Sequence, residues 1–157
     1  MTYFDLVKQI QQICENHKQV QSYGYGVLSN IETPLVHEDR RYPYVFLNPV
    51  PGTLAEGQIT YNFNMIVMDL ASEDYRDNFT TWKGEDLVLR AQSDMLLIIN
   101  DILGYLRYEL DPQLPGVDLN ISIAPFEEKH NDSVAGMTAT IRLTLPNRLS
   151  ACEPIIA

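Results

Sequence analysis

Between Glu85 and Tyr108 the chain places Val88, Ala91, Met95, Ile98, Ile99, Ile102 and Leu106 at steps of three and four. Leu87, Leu96, Leu103 and Leu110 widen that stripe. A helix of this span is about 36 Å long, and its apolar face is broad. The surface that buries such a face best is a β-sheet, so the chain needs one wide enough to lie under it. Glu85 and Asp86 suit the positive end of the helix and Arg107 its last turn, while Gly104 is a mild interior weakness.

The strands for that sheet are legible. From Gln58 to Leu70, Ile59, Tyr61, Phe63, Met65 and Val67 alternate with Thr60, Asn62 and Asn64, and from Ile66 onward both faces are apolar. Val117–Ile123 and Met137–Leu145 also alternate, which predicts an antiparallel hairpin with a long loop over 124–136, stopped by Pro146. Tyr42–Pro49 predicts a strand closed by a proline-rich turn. In Ser22–Val27, Tyr23, Tyr25 and Val27 share one face and Gly24 and Gly26 the other, so a bulky cover is expected over the bare glycines, namely a helix laid across the sheet. At the start, Thr2 can cap an amphipathic helix that buries Tyr3, Leu6, Val7, Ile10, Ile13 and Cys14 and ends near Lys18. The expected fold class is α+β: a largely antiparallel sheet of about five strands, with an N-terminal helix and one long helix packed on it. Residues 1–146 are read as a single domain and 147–157 as a C-terminal tail.

Charge narrows the partners. The 157 residues carry a formal net charge of −10. A surface this acidic repels phosphate backbones, so sequence-independent nucleic-acid binding is not expected, and no sequence-specific nucleic-acid partner is expected either. The only adjacent Lys/Arg pair, Arg40-Arg41, follows Glu38 and Asp39 directly. No apolar run reaches the roughly 18 residues that a membrane span requires. No signal-peptide pattern opens the chain, so Cys14 and Cys152 are expected as reduced thiols in a cytoplasmic protein.

The motifs that announce chemistry are missing. There is no phosphate-binding glycine loop and no Gly-x-Ser-x-Gly elbow. His17, His37 and His130 are widely separated, and the acidic loop 127–132 lacks the alternating ligands and glycine of an EF-hand. The expectation is a protein that is not an enzyme and uses no metal or cofactor. Its candidate functional residues are interface residues. Tyr75, Phe79 and Trp82 stand in the polar segment 71–84, Arg40 and Arg41 are an isolated basic pair, and Ile155 and Ile156 are apolar in a terminal tail. Loops and tail, rather than sheet faces, are the expected contacts with neighbours. The competing reading has the aromatics of 71–84 folded onto the core and the tail disordered.

The order of these segments resembles the tail-terminator and tail-completion proteins of tailed bacteriophages, with their related neck ring proteins. The resemblance lies in the N-terminal amphipathic helix, the strand Tyr42–Leu47, the long strand Ile59–Leu70 and the aromatic-bearing linker. The helix over 85–108 and the closing strand Gly136–Pro146 complete it. It spans nearly the whole chain in order and texture, without a diagnostic short motif, and the segment 146–157 has no counterpart in it. The resemblance implies a homo-oligomeric ring, typically sixfold, in the virion. Such a ring caps the tail tube, meets the head connector and other neck proteins, and lets DNA pass through its centre. It brings no catalytic residues. A small cytoplasmic ligand-binding or regulatory α+β domain, with the Tyr23/Tyr25 face lining a pocket, is the alternative.

Overall fold

The computed structural model describes residues 2–28, 41–71, 86–112, 117–128 and 134–147. Its elements in chain order are α1 (Tyr3–Asn16), β1 (Ser22–Tyr25), β2 (Tyr44–Ala55), β3 (Gly57–Leu70), α2 (Asp86–Leu110), β4 (Asp118–Glu128) and β5 (Val134–Asn147). The five strands form one sheet in the order β1-β2-β3-β5-β4. β1 and β2 are parallel, and every other neighbouring pair is antiparallel. This is the α+β architecture expected, with both helices on one face.

Helix α1 begins as its sequence requires. Thr2 Oγ1 accepts from the Asp5 backbone N–H at 3.1 Å, and the Asp5 carboxylate accepts from the Thr2 N–H at 3.0 Å. The Thr2 N–H, with the Thr2 hydroxyl donating to the same carboxylate oxygen at 2.7 Å, holds the Asp5 carboxyl below its ordinary pKa. Leu6, Ile10, Ile13 and Cys14 are its buried stripe. Helix α2 contributes Met95, Ile98, Ile99, Ile102, Leu103, Leu106 and Leu110, all buried. Beneath the two helices lie Val45 and Leu47 of β2, Phe63, Met65 and Val67 of β3, and Met137 to Leu145 of β5 at alternate positions. These residues form one continuous core. The helices are also tied to each other by polar contacts: Gln9 Nε2 donates to Glu109 Oε2 at 2.6 Å, and His17 Nε2 meets Asp101 Oδ2 at 3.1 Å.

Three local expectations need correction. Among the described residues no helix covers Gly24. Its bare face is filled by the Tyr44 hydroxyl and the Phe46 ring of β2, while α1 lies on the opposite, tyrosine-bearing face. Two aromatic side chains on the neighbouring strand supply the bulk that the missing Cβ makes room for. Gly26 then ends the strand early, with a φ of 142° that few other residues adopt.

Second, β2 does not stop at Pro49. It runs on to Ala55, with a register shift between Val50 and Thr53. Because β1 ends at Tyr25, opposite Leu47, the rest of β2 is an outer strand that owes no donor on that side, and prolines are tolerated there. Asn62 Nδ2 donates to Pro51 O at 2.8 Å across the irregularity. Third, β4 and β5 are longer than expected. β4 reaches Glu128 through Pro125, which an edge strand permits, and β5 continues through Pro146 to Asn147. The connection between them is therefore 129–133, not 124–136.

Candidate functional site

Of the residues that the sequence marks as an interface, only Arg41 falls among those described; Arg40, Tyr75, Phe79, Trp82, Ile155 and Ile156 lie outside them. Arg41 is exposed, three residues before the start of β2. Its backbone clasps the start of β1: the Ser22 hydroxyl donates to Arg41 O, and the Arg41 N–H lies 3.3 Å from Ser22 Oγ. Lys18, also exposed, precedes the same strand.

The face of the sheet away from the helices divides in two. At one end Tyr44, Phe46, Met68 and Val134 form a second small apolar cluster, joined by Tyr42, Ile66 and Phe126. Towards the other end the strands present Asn48, Asn62, Asn64, Thr60, Thr140, Arg142 and Thr144. Thr60 and Thr144 share a hydroxyl–hydroxyl bond of 3.1 Å, and Thr140 Oγ1 donates to Asn64 Oδ1 at 3.2 Å. These two pairs bond across strands; Asn48 and Thr60 are buried, whereas Thr140 and Arg142 are exposed.

Three titratable groups with raised pKa belong to α1 or lie beneath it. Burial, with the Glu15 charge adding to it, pushes the Cys14 thiol up to about 12. Burial also raises the Tyr23 phenol, whose hydroxyl is buried without a hydrogen-bond partner. Tyr3 is raised by burial and by the 2.8 Å bond between its hydroxyl and that of Tyr25. These groups are held in their neutral forms, which suits packing and not nucleophilic chemistry. Among the described residues, no group of three or more His, Cys, Asp or Glu converges on a common point. No helix among them is long and apolar enough to cross a membrane.

What the described surface does offer is apolar: Leu97, Tyr105 and Tyr108 along α2 and Leu54 and Leu70 on the strands are exposed, and two further sets lie on opposite flanks. On the α1/β1 flank Phe4 is 67% exposed, and Tyr25, Val27 and Leu28 are exposed as well. On the α2/β4 flank Leu89 of the helix and Ile121 and Ile123 of the strand are exposed. Ile121 and Ile123 belong to the helix-covered side of the sheet, since they pair with Ile141 and Ala139 of the core. Among the described residues, the helices stop short of them. Hydrophobic periodicity gave each residue's side of the sheet but not whether a helix reaches it, so reading the sequence missed both flanks. A comparison with models of protein families and with curated proteins finds no match for this chain.

Proposed function

We propose that the protein is a structural subunit of a bacteriophage neck or tail. It would form a homo-oligomeric ring, a tail terminator or tail-completion protein, that joins the tail tube to the head connector. The observation that carries this reading is the order and layering of the elements. A short capped helix, three strands, a long helix and two closing strands build one two-layer body, and that order is the one in which the sequence resembles the family. A ring subunit needs surfaces for unlike neighbours rather than a catalytic centre. Exposed apolar side chains on two separate flanks meet that requirement. An acidic lumen, consistent with the net charge of −10, would let DNA slide without adhering.

Electron microscopy of the purified protein, with antibody labelling of phage particles, tests the reading. Rings in the first and label at the head–tail junction in the second are expected. A monomer that co-purifies with a small molecule and labels no particle would replace the reading with a ligand-binding domain.

A further inference from the structure

The two apolar flanks are matched in height, in hand and in charge. Tyr25, Leu47, Met65, Ala139 and Ile123 stand in one row across all five strands, and Ser22, Tyr44, Met68, Gly136 and Phe126 in another. The two edge strands are therefore level with each other. They also run in opposite directions, because β1 is parallel to β2 and each later step across the sheet reverses the chain. Tyr25 and Ile123 both lie on the helix side of the sheet.

The helix layer shows the same complementarity. Tyr3 packs on Tyr61 and Phe63, at ring separations of 5.4 and 6.0 Å, so neighbouring Phe4 stands near the row that holds Phe63, Ile141 and Ile121. At 100° per residue, Phe4 is on the flank of α1 opposite Gln9, the residue that holds α2. Leu89 and Leu96 are on the flank of α2 opposite Glu109, facing out over β4, where Gln92 donates to Phe126 O at 3.1 Å. One side of the subunit thus lacks a helix over Ile121 and Ile123, and the other side carries a helix with an apolar residue unused.

Charge follows the same direction. The stretch 117–128 holds Asp118, Glu127 and Glu128 and no basic residue, whereas 17–28 holds Lys18 and no acidic one. Lys18 and Arg41 sit at the Ser22 end of β1, the end level with Glu127 and Glu128.

We infer that a second copy of this chain docks its α1/β1 flank against the α2/β4 flank of the first. In the resulting contact β1 extends the sheet antiparallel beside β4, with Tyr25 opposite Ile123, and α1 continues the helix layer with Phe4 over Ile121. In this register Gly24 and Tyr25 stand opposite Ala124 and Ile123, while Tyr23 meets Pro125, which has no N–H to donate, so the strand pairing is short and the apolar side chains carry most of the contact. The contact joins two different patches and repeats head to tail, the kind of interface from which rings are closed. The inference rests on the ring reading above and assigns the surfaces that such a ring would use.

Sedimentation velocity of the full chain tests it, with Phe4→Arg and Ile123→Arg as the variants. Both positions are exposed, so thermal melts like wild type are expected. Wild type should form a closed oligomer and each variant alone should stay at the 17.9 kDa monomer. An equimolar mixture should stop at dimers, because each variant retains the flank that its partner needs. If either variant assembles like wild type while folded, the assigned surfaces are wrong and the ring stands. A mixture that stays monomeric also rejects them. Wild type that is monomeric at every concentration reached removes the ring reading, and this interface with it. Ile121→Lys repeats the β4 arm independently if Ile123→Arg loses its melt.

Discussion

Ile99 shows how much one side chain of α2 contributes. It is 2% exposed and belongs to the core between the helices and the sheet. Ile99→Ala should cost about 2–5 kcal/mol through lost burial and the cavity left behind, read as a shift in the denaturant midpoint at constant slope. Cys14 makes a prediction of a different kind. Its thiol is held neutral in the fold, while in the unfolded chain it ionises near its ordinary value of about 8.5. The group therefore leaves stability unchanged at lower pH and subtracts from it as pH rises past that value, by up to about 1.4 kcal/mol per pH unit. Tyr3 and Tyr23 are raised in the same sense and join only near pH 10, where free phenols titrate. Unfolding free energies measured from pH 7 to 9, below the range of the phenols, should fall for wild type and stay nearly flat for Cys14→Ala.

Glycines separate the elements by what surrounds them. Gly104 lies on the exposed side of α2 with open space where a Cβ would go, so Gly104→Ala should raise stability by about 0.5–1 kcal/mol. A Cβ on Gly136 would instead run into the Val67 carbonyl of β3, and Gly136→Ala should destabilise by about 1–3 kcal/mol. Thermal melts of the two variants should therefore move in opposite directions. The long helix, the alternating halves of the strands and the Thr2 cap were all legible in the sequence, because each is a local pattern of period or spacing. The ends of β2, β4 and β5 were not. Pro49, Pro125 and Pro146 look like stops unless it is known which side of a strand has no neighbour, and strand order is a tertiary fact. The cover over Gly24 was misread for a related reason, since a gap in the pattern does not say what fills it. Of the expected interface only Arg41 can be placed, and the flanks around Phe4 and Ile123 depend on where α1 and α2 end relative to the sheet.

For the whole molecule, two sets of contacts can be told apart by where they fail. Trp82→Ala, Arg41→Glu and a chain ending at Pro146 test the loop and tail residues proposed as contacts, Arg40, Arg41, Tyr75, Phe79, Trp82, Ile155 and Ile156. Each variant should fold and yet enter particles less efficiently than wild type, measured by protein mass spectrometry of purified virions. Wild-type incorporation of all three would make those segments spectators. The position of β5 has a consequence for how the chain reaches this state. β5 lies between β3 and β4, and it pairs Gly57 with Asn147 and Leu70 with Val134, residues far apart in sequence. Contacts of such long range slow folding, because the intervening loop must close before they contribute. On the ribosome, β3 and α2 emerge with their apolar faces bare and wait for residues 134–147 before the sheet can close over them. A chain stopped ahead of Val134 lacks the strand between β3 and β4, so it is expected to show no cooperative thermal transition.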